Sequence, residues 1–112
     1  MELIDYESGK SLAKVRVAHS FFQKVFGLTI GSPLEEGQCF LIKGCRGIHT
    51  IGMDYGIDAV FLDKAGRVLA VYENLRPYRV SSFIRGAENV VEFKAGFVSK
   101  NGIKAGDKLD FF

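Results

Sequence analysis

The 112-residue chain contains no tryptophan, two prolines and two cysteines. Cys39 and Cys45 are not spaced as C-x-x-C, which excludes a thioredoxin-like redox motif. A structural zinc site takes four Cys or His ligands as a rule. Two Cys and two His, with His19 twenty residues ahead of Cys39, do not compose one. No apolar run approaches the ~18–20 residues of a membrane helix. The start, Met1-Glu2-Leu3-Ile4-Asp5, lacks the basic and apolar stretches of a signal peptide. The reading is therefore a cytoplasmic protein with reduced thiols and no membrane partner. Glycine-rich phosphate loops are missing too: Gly44, Gly47 and Gly52 fit neither the P-loop nor the dinucleotide spacing. A net charge of +2 is too mild to demand nucleic acid, which is not expected as a partner, and permits an anionic one.

Hydrophobic residues make up 47% and charged residues 25%, which excludes a disordered chain and fits one domain over residues 1–112. Thirteen glycines predict many tight turns. Residues 2–6 and 11–18 read as a hairpin, with Ala13, Val15 and Val17 alternating against Lys14 and Arg16. Cys39-Phe40-Leu41-Ile42, residues 56–63, residues 67–73, Val90-Val91-Glu92-Phe93 and residues 108–112 supply further strands. Lys64-Ala65-Gly66 is a hairpin turn, with Asp63 at its start. Ile57 to Leu62 is apolar on both faces except at Asp58, as expected of a strand covered on both sides. Ala95-Gly96 and Asn101-Gly102 read as turns.

One segment changes period. Phe21, Phe22, Val25 and Phe26 share a helical face, Ser20 and Gln23 have capping-box spacing, and Gly27 is placed to end a helix. The expectation is a mostly β domain, sandwich or barrel-like, of about eight short strands with one short helix near 20–27.

Four blocks carry a family resemblance. Phe26-Gly27-Leu28 is similar to an R-x-x-G-L pattern, with Lys24 or a neighbour where Arg is usual. Ile48 to Met53 leads into Gly56-Ile57-Asp58-Ala59-Val60-Phe61-Leu62-Asp63, which resembles P-L-D-x-x-F-h-D, h being apolar. Gly56 stands in place of the proline, and His49-Thr50 in place of a more usual Trp-Met. Val91 to Gly96 resembles L-E-x-x-x-G, and Gly102 to Leu109 resembles G-h-x-x-G-D-x-h. In this order the blocks resemble the family known as domain of unknown function 192. The resemblance implies a compact β-sandwich-like domain and no established activity.

Several residues are candidates for chemistry. Cys45, His49 and Met53, spaced four apart, with His19 as a further ligand, have the donor set of a blue-copper loop. Cys45 and His49 also have the types of a nucleophile and base, with Asp58 as orienter. Against both stands the plain reading, in which Met53 packs in the core, Cys45 is a small buried hydrophobe and His49 is held by a hydrogen bond. Asp58 and Asp63 differ by an odd number and fall on opposite faces of a strand, so they are no acid–base pair. For Asp58 the structural reading is a carboxylate accepting backbone N–H groups. Arg76-Pro77-Tyr78-Arg79 and Phe83-Ile84-Arg85-Gly86 interleave cations with rings, as an anion-binding surface does.

The reading favours a non-catalytic binding or accessory module without a cofactor, and leans away from an enzyme. Loops 44–55 and 76–87 would hold an unknown protein or a small anionic ligand through His49, Thr50, Asp58, Arg76, Arg79 and Arg85. The alternative is a copper-like or thiol-dependent enzyme centred on Cys45 and His49.

Overall fold

Asp63 shows how local chemistry builds the sheet. Its Oδ1 accepts the N–H groups of Ala65 and Arg67, each at 2.9 Å, and its carbonyl accepts the Gly66 N–H at 3.0 Å. The turn reverses the chain between β4 (Ile57–Leu62) and β5 (Val68–Leu75), which pair antiparallel. Asp5 does the same between β1 (Glu2–Asp5) and β2 (Ser11–Val17): its Oδ2 accepts the Ser8 hydroxyl at 2.7 Å. Both hairpins are where the sequence pattern places them.

The computed structural model describes residues 1–17, 34–44, 56–76, 81 and 84–112. The remaining strands are β3 (Gln38–Lys43), β6 (Asn89–Lys94) and β7 (Leu109–Phe111). The mostly β expectation holds. The seven strands among the described residues form one sheet in the order β5-β4-β6-β3-β2-β1-β7. Neighbours are antiparallel except β2 and β3, which run parallel. The sheet is not closed into a barrel. Its two edge strands meet at one end, through the Arg67–Lys108 bridge and the Val68 N–H donated to Asp107 at 2.7 Å.

Alternation along the strands sorts apolar residues onto two faces. One face carries Leu3, Cys39, Leu41, Val60, Leu62, Val91 and Phe93. It is covered by α1 (Phe97–Asn101), whose Phe97 ring stacks on Phe93 at 4.3 Å between centroids. The opposite face carries Phe40, Ile42, Ile57, Ala59, Phe61 and Val90, with Leu34, Ala87 and Ile84 packed against it. All six residues of β4 are buried, as its two-sided apolar pattern implies. Burying side chains such as Phe61 and Leu62 contributes about 1.5–3 kcal/mol each.

The helix expected near 20–27 lies outside the described residues. The helix that is described, α1, stands where the sequence suggests only two turns. Gly96 (φ 97) opens it and Gly102 (φ 66) closes it, both left-handed positions that glycine takes without steric cost.

Candidate functional site

The blocks singled out from the sequence contain four acidic residues, and three have structural duties. Asp58 is fully buried. Its Oδ1 accepts the Asn74 N–H at 2.8 Å, and its Oδ2 accepts those of Gly96 at 3.1 Å and Val98 at 2.9 Å. The carboxylate thus satisfies two free amides at the start of α1 and fixes Asn74, whose φ of 51 is the one positive value among the described non-glycine residues. Asp58 does what the structural reading of the sequence assigned it. Asp63 holds its turn. Asp107 accepts the Lys104 N–H at 3.0 Å and the Lys104 ammonium at 3.1 Å.

Glu92 is the fourth and differs from the others. It lies on β6 with 3% exposure, and no hydrogen bond or ion pair reaches its carboxyl group among the described residues. Strand register sets its surroundings. One row runs across five strands: Arg16, Phe40, Glu92, Ala59 and Tyr72. Phe40 and Ala59 flank Glu92 at the ~4.8 Å spacing of neighbouring strands. The Arg16 guanidinium sits over the Phe40 ring, 5.7 Å from its centroid, a favourable contact for a cation on an aromatic face. Tyr72 meets Phe61 edge-on at 5.7 Å. Burial in this aromatic layer pushes the Glu92 carboxyl up from 4.5 to about 8, so at neutral pH it carries its proton.

Of the residues expected to bind ligand, His49, Thr50 and Arg79 lie outside the described residues. So do Cys45, Met53 and His19 of the alternative metal or thiol site. Among the described residues no group of three or more His, Cys, Asp or Glu is arranged to hold a metal ion. The described thiol, Cys39, is buried and its pKa is pushed up to about 12 by desolvation and by the nearby Glu2 charge, which leaves it without nucleophilic character.

Arg76 and Arg85 are both exposed and do not sit together. Arg76 directly follows Leu75, the partner of Ile57 at the start of β4. Arg85 precedes Glu88, whose N–H is donated to Leu62 at the far end of β4 at 2.8 Å. The length of β4, roughly 17 Å at ~3.3 Å per residue, separates those two levels.

The chain's sequence matches the pattern of the family DUF192 (Uncharacterized ACR, COG1430) over residues 4–111. The chain belongs to this family. A UPF0127 protein of Pyrococcus abyssi (strain GE5 / Orsay) is 28% identical over 109 residues, covering 94% of this chain and 92% of the relative. Among solved structures, a protein of unknown function from Novosphingobium aromaticivorans DSM 12444 superposes with a TM-score of 0.83 at 19% identity, over 97% of this chain and 82% of that one. A candidate transcription regulator from Sinorhizobium meliloti 1021 gives 0.79 at 24% identity, over 97% and 89%. Identities this low establish the shared fold. DUF192 is an uncharacterised family, so its membership brings no activity with it.

Sequence reasoning passed over Glu92, Arg16, Phe40 and Tyr72. A signal was available for Glu92. In Val90-Val91-Glu92-Phe93 apolar residues occupy both faces, so a lone acid there is buried whichever way it points, by the argument that drew attention to Asp58.

Proposed function

We propose that this DUF192 protein is a non-catalytic binding module whose ligand is recognised on the sheet face that carries Glu92. One observation supports the reading most: a buried carboxyl group with no partner among the described residues, beside three motif acids that all have structural partners. Leaving a polar group buried and unsatisfied costs about 1–3 kcal/mol. Native cores carry few such groups, and those that persist call for an explanation, a role in function among them. The flanking Phe40 and Ala59 are not titratable, so the described row places no second acid or base beside Glu92. That favours recognition over acid–base catalysis, which pairs groups of different pKa.

Loops 44–55 and 76–87 belong to the same proposal as the rim of the site, with His49, Thr50, Arg76, Arg79 and Arg85 as contacts. Because Arg76 and Arg85 stand at opposite ends of β4, a small ligand meets one of them and a protein partner can span both. No described helix is long and apolar enough to cross a membrane. A cytoplasmic location remains part of the proposal.

A small-molecule thermal-shift screen on wild type and Glu92→Leu tests the reading. Compounds that raise the wild-type melting temperature and leave the variant's unchanged are expected. Hits that act equally on both proteins would place the site elsewhere.

A further inference from the structure

Asn101-Gly102 reads from the sequence as a turn, and in the fold it closes α1. Two backbone bonds make the closure. Gly102 donates its N–H to Ser99 at 3.3 Å, and Ile103 donates to Val98 at 3.2 Å. This pair of bonds, with Gly102 at φ 66, is the Schellman ending of a helix. Val98 and Ile103 are both buried in one core cluster, the apolar contact that accompanies such an ending. The Asn101 side chain turns back along the helix, its Nδ2 donating to the Phe97 carbonyl at 2.9 Å.

The same dipeptide carries chemistry of its own. Glycine has no side chain to screen its nitrogen, so the Gly102 nitrogen can attack the side-chain carbonyl carbon of Asn101. An N–C bond forms, the bond to Nδ2 breaks, and ammonia leaves with the proton of the Gly102 N–H. Water then opens the five-membered imide, giving aspartate, or isoaspartate when it attacks the main-chain carbonyl. Nothing is oxidised or reduced, and water is the only co-reactant. Asn101 and Gly102 line an open hollow of about 380 Å³, which admits that water. The two other asparagines, in Asn74-Leu75 and Asn89-Val90, have a branched side chain beside the attacking nitrogen.

We propose that Asn101 is a modification site, converted to aspartate or isoaspartate at a rate set by opening of the C-terminal cap of α1. The closed cap holds the attacking nitrogen and the carboxamide in separate hydrogen bonds, to Ser99 and to Phe97. Helix ends open locally at less cost than the whole fold, and α1 is five residues long. Each conversion is one-way. The imide nitrogen has no hydrogen left for Ser99, and isoaspartate adds a carbon to the main chain ahead of Ile103. Ile103 then loses its register with Val98. The segment that runs on to Asp107, which accepts the Val68 N–H where the sheet edges meet, starts from a changed point.

The experiment incubates the whole chain at pH 8 and 37 °C, native and in guanidinium. Peptide mass spectrometry follows each asparagine, with enzymatic detection of isoaspartate. In guanidinium Asn101 should convert while Asn74 and Asn89 stay largely intact. In the native chain Asn101 should convert at least ~10-fold more slowly, the ratio left by a cap that costs about 1.4 kcal/mol or more to open. Ile103→Ala, which weakens the contact with Val98, should speed native conversion at least ~5-fold. A second measurement needs no variant. In wild type, at guanidinium concentrations below the unfolding transition, conversion should rise in step with hydrogen exchange at Gly102 and Ile103. Equal rates in the native and denatured chains, or a conversion rate unmoved while those two amides exchange faster, would overturn control by the cap. An Asn101 no more reactive than Asn74 and Asn89 in the denatured chain would remove the modification site itself.

Discussion

Asp58 on β4 and Val98 in the first turn of α1 stand forty residues apart and are joined by a hydrogen bond of 2.9 Å, the carboxylate accepting the backbone N–H. With Gly96 and Asn74 as its other donors, Asp58 ties β4 to β5 and to α1. Replacement by alanine leaves three amides without their acceptor. Hydrogen bonds to a charged group contribute about 1.5–3 kcal/mol each. Asp58→Ala should therefore lower stability by at least about 4 kcal/mol, a large share of the ~5–15 kcal/mol of an ordinary domain. Asp58→Asn keeps one acceptor oxygen and should fall between. Urea melts of the three proteins check the ranking.

Gly66 carries the second prediction. Its φ is +88, and a Cβ there would run into the carbonyl of Leu109 on β7. Leu109 also donates its N–H to the Gly66 carbonyl at 2.9 Å. Gly66→Ala thus meets an unfavourable φ and a backbone clash together, and should cost about 1–3 kcal/mol. The damage should show first where the sheet edges meet. Hydrogen exchange at Leu109 and Val68 should accelerate more than at Val91, in the middle of the sheet. Equal acceleration at all three sites would mean that the junction has no stability of its own.

Local features were legible in the sequence and long-range ones were not. Alternation and the Asp63 turn chemistry gave β4 and β5 and their pairing, because hairpin signals lie within a few residues. The placing of β6 between β3 and β4, and of β7 beside β1, depends on pairings across the whole chain, which periodicity does not encode. The helix α1 is five residues long, too short for a helical period to register, so its two boundary glycines read as separate turns. Asp58 was read as a backbone acceptor, which its three hydrogen bonds bear out, and also as a ligand contact, which a fully buried carboxylate with both oxygens engaged does not offer. Glu92 was overlooked because a strand acid is ordinarily assigned to a wet face, and β6 has none over Val90–Phe93. The proposed cluster of Arg76 and Arg85 came from closeness in sequence, and β4 lies between their levels.

Cys39 provides a chemical check on the fold. With its pKa at about 12, the thiolate is a fraction on the order of 10⁻⁴ of the population at pH 8. Burial blocks reagents as well. Iodoacetamide at pH 8 should leave Cys39 unmodified in the native protein and alkylate it in denaturant, as read by peptide mass spectrometry. Rapid native labelling would show that β3 opens far more often than a two-sided buried strand should.

Glu92 links stability to pH in a direction opposite to that of a salt-bridged acid. In the folded chain its carboxyl titrates at about 8, against 4.5 in the ordinary state. Below about pH 4.5 both the folded and unfolded chains hold the proton, and the folded state is spared the cost of ionising the group. Between pH 4.5 and 8 the unfolded chain releases the proton and the folded chain keeps it, so the contribution declines steadily as pH rises. Above about 8 the folded chain ionises too, and the loss levels off. The total is on the order of a few kcal/mol, since each pKa unit corresponds to about 1.4 kcal/mol. Other carboxylates add slopes of their own, so the measurement is a difference. Urea midpoints of wild type and Glu92→Gln, taken from pH 4 to pH 9.5, should diverge through this window. The variant, unable to ionise, should gain relative to wild type as pH rises and keep a constant lead above about pH 8. Parallel curves across the whole range would show that Glu92 is solvated or paired in the folded protein, and the binding face proposed around it would lose its basis.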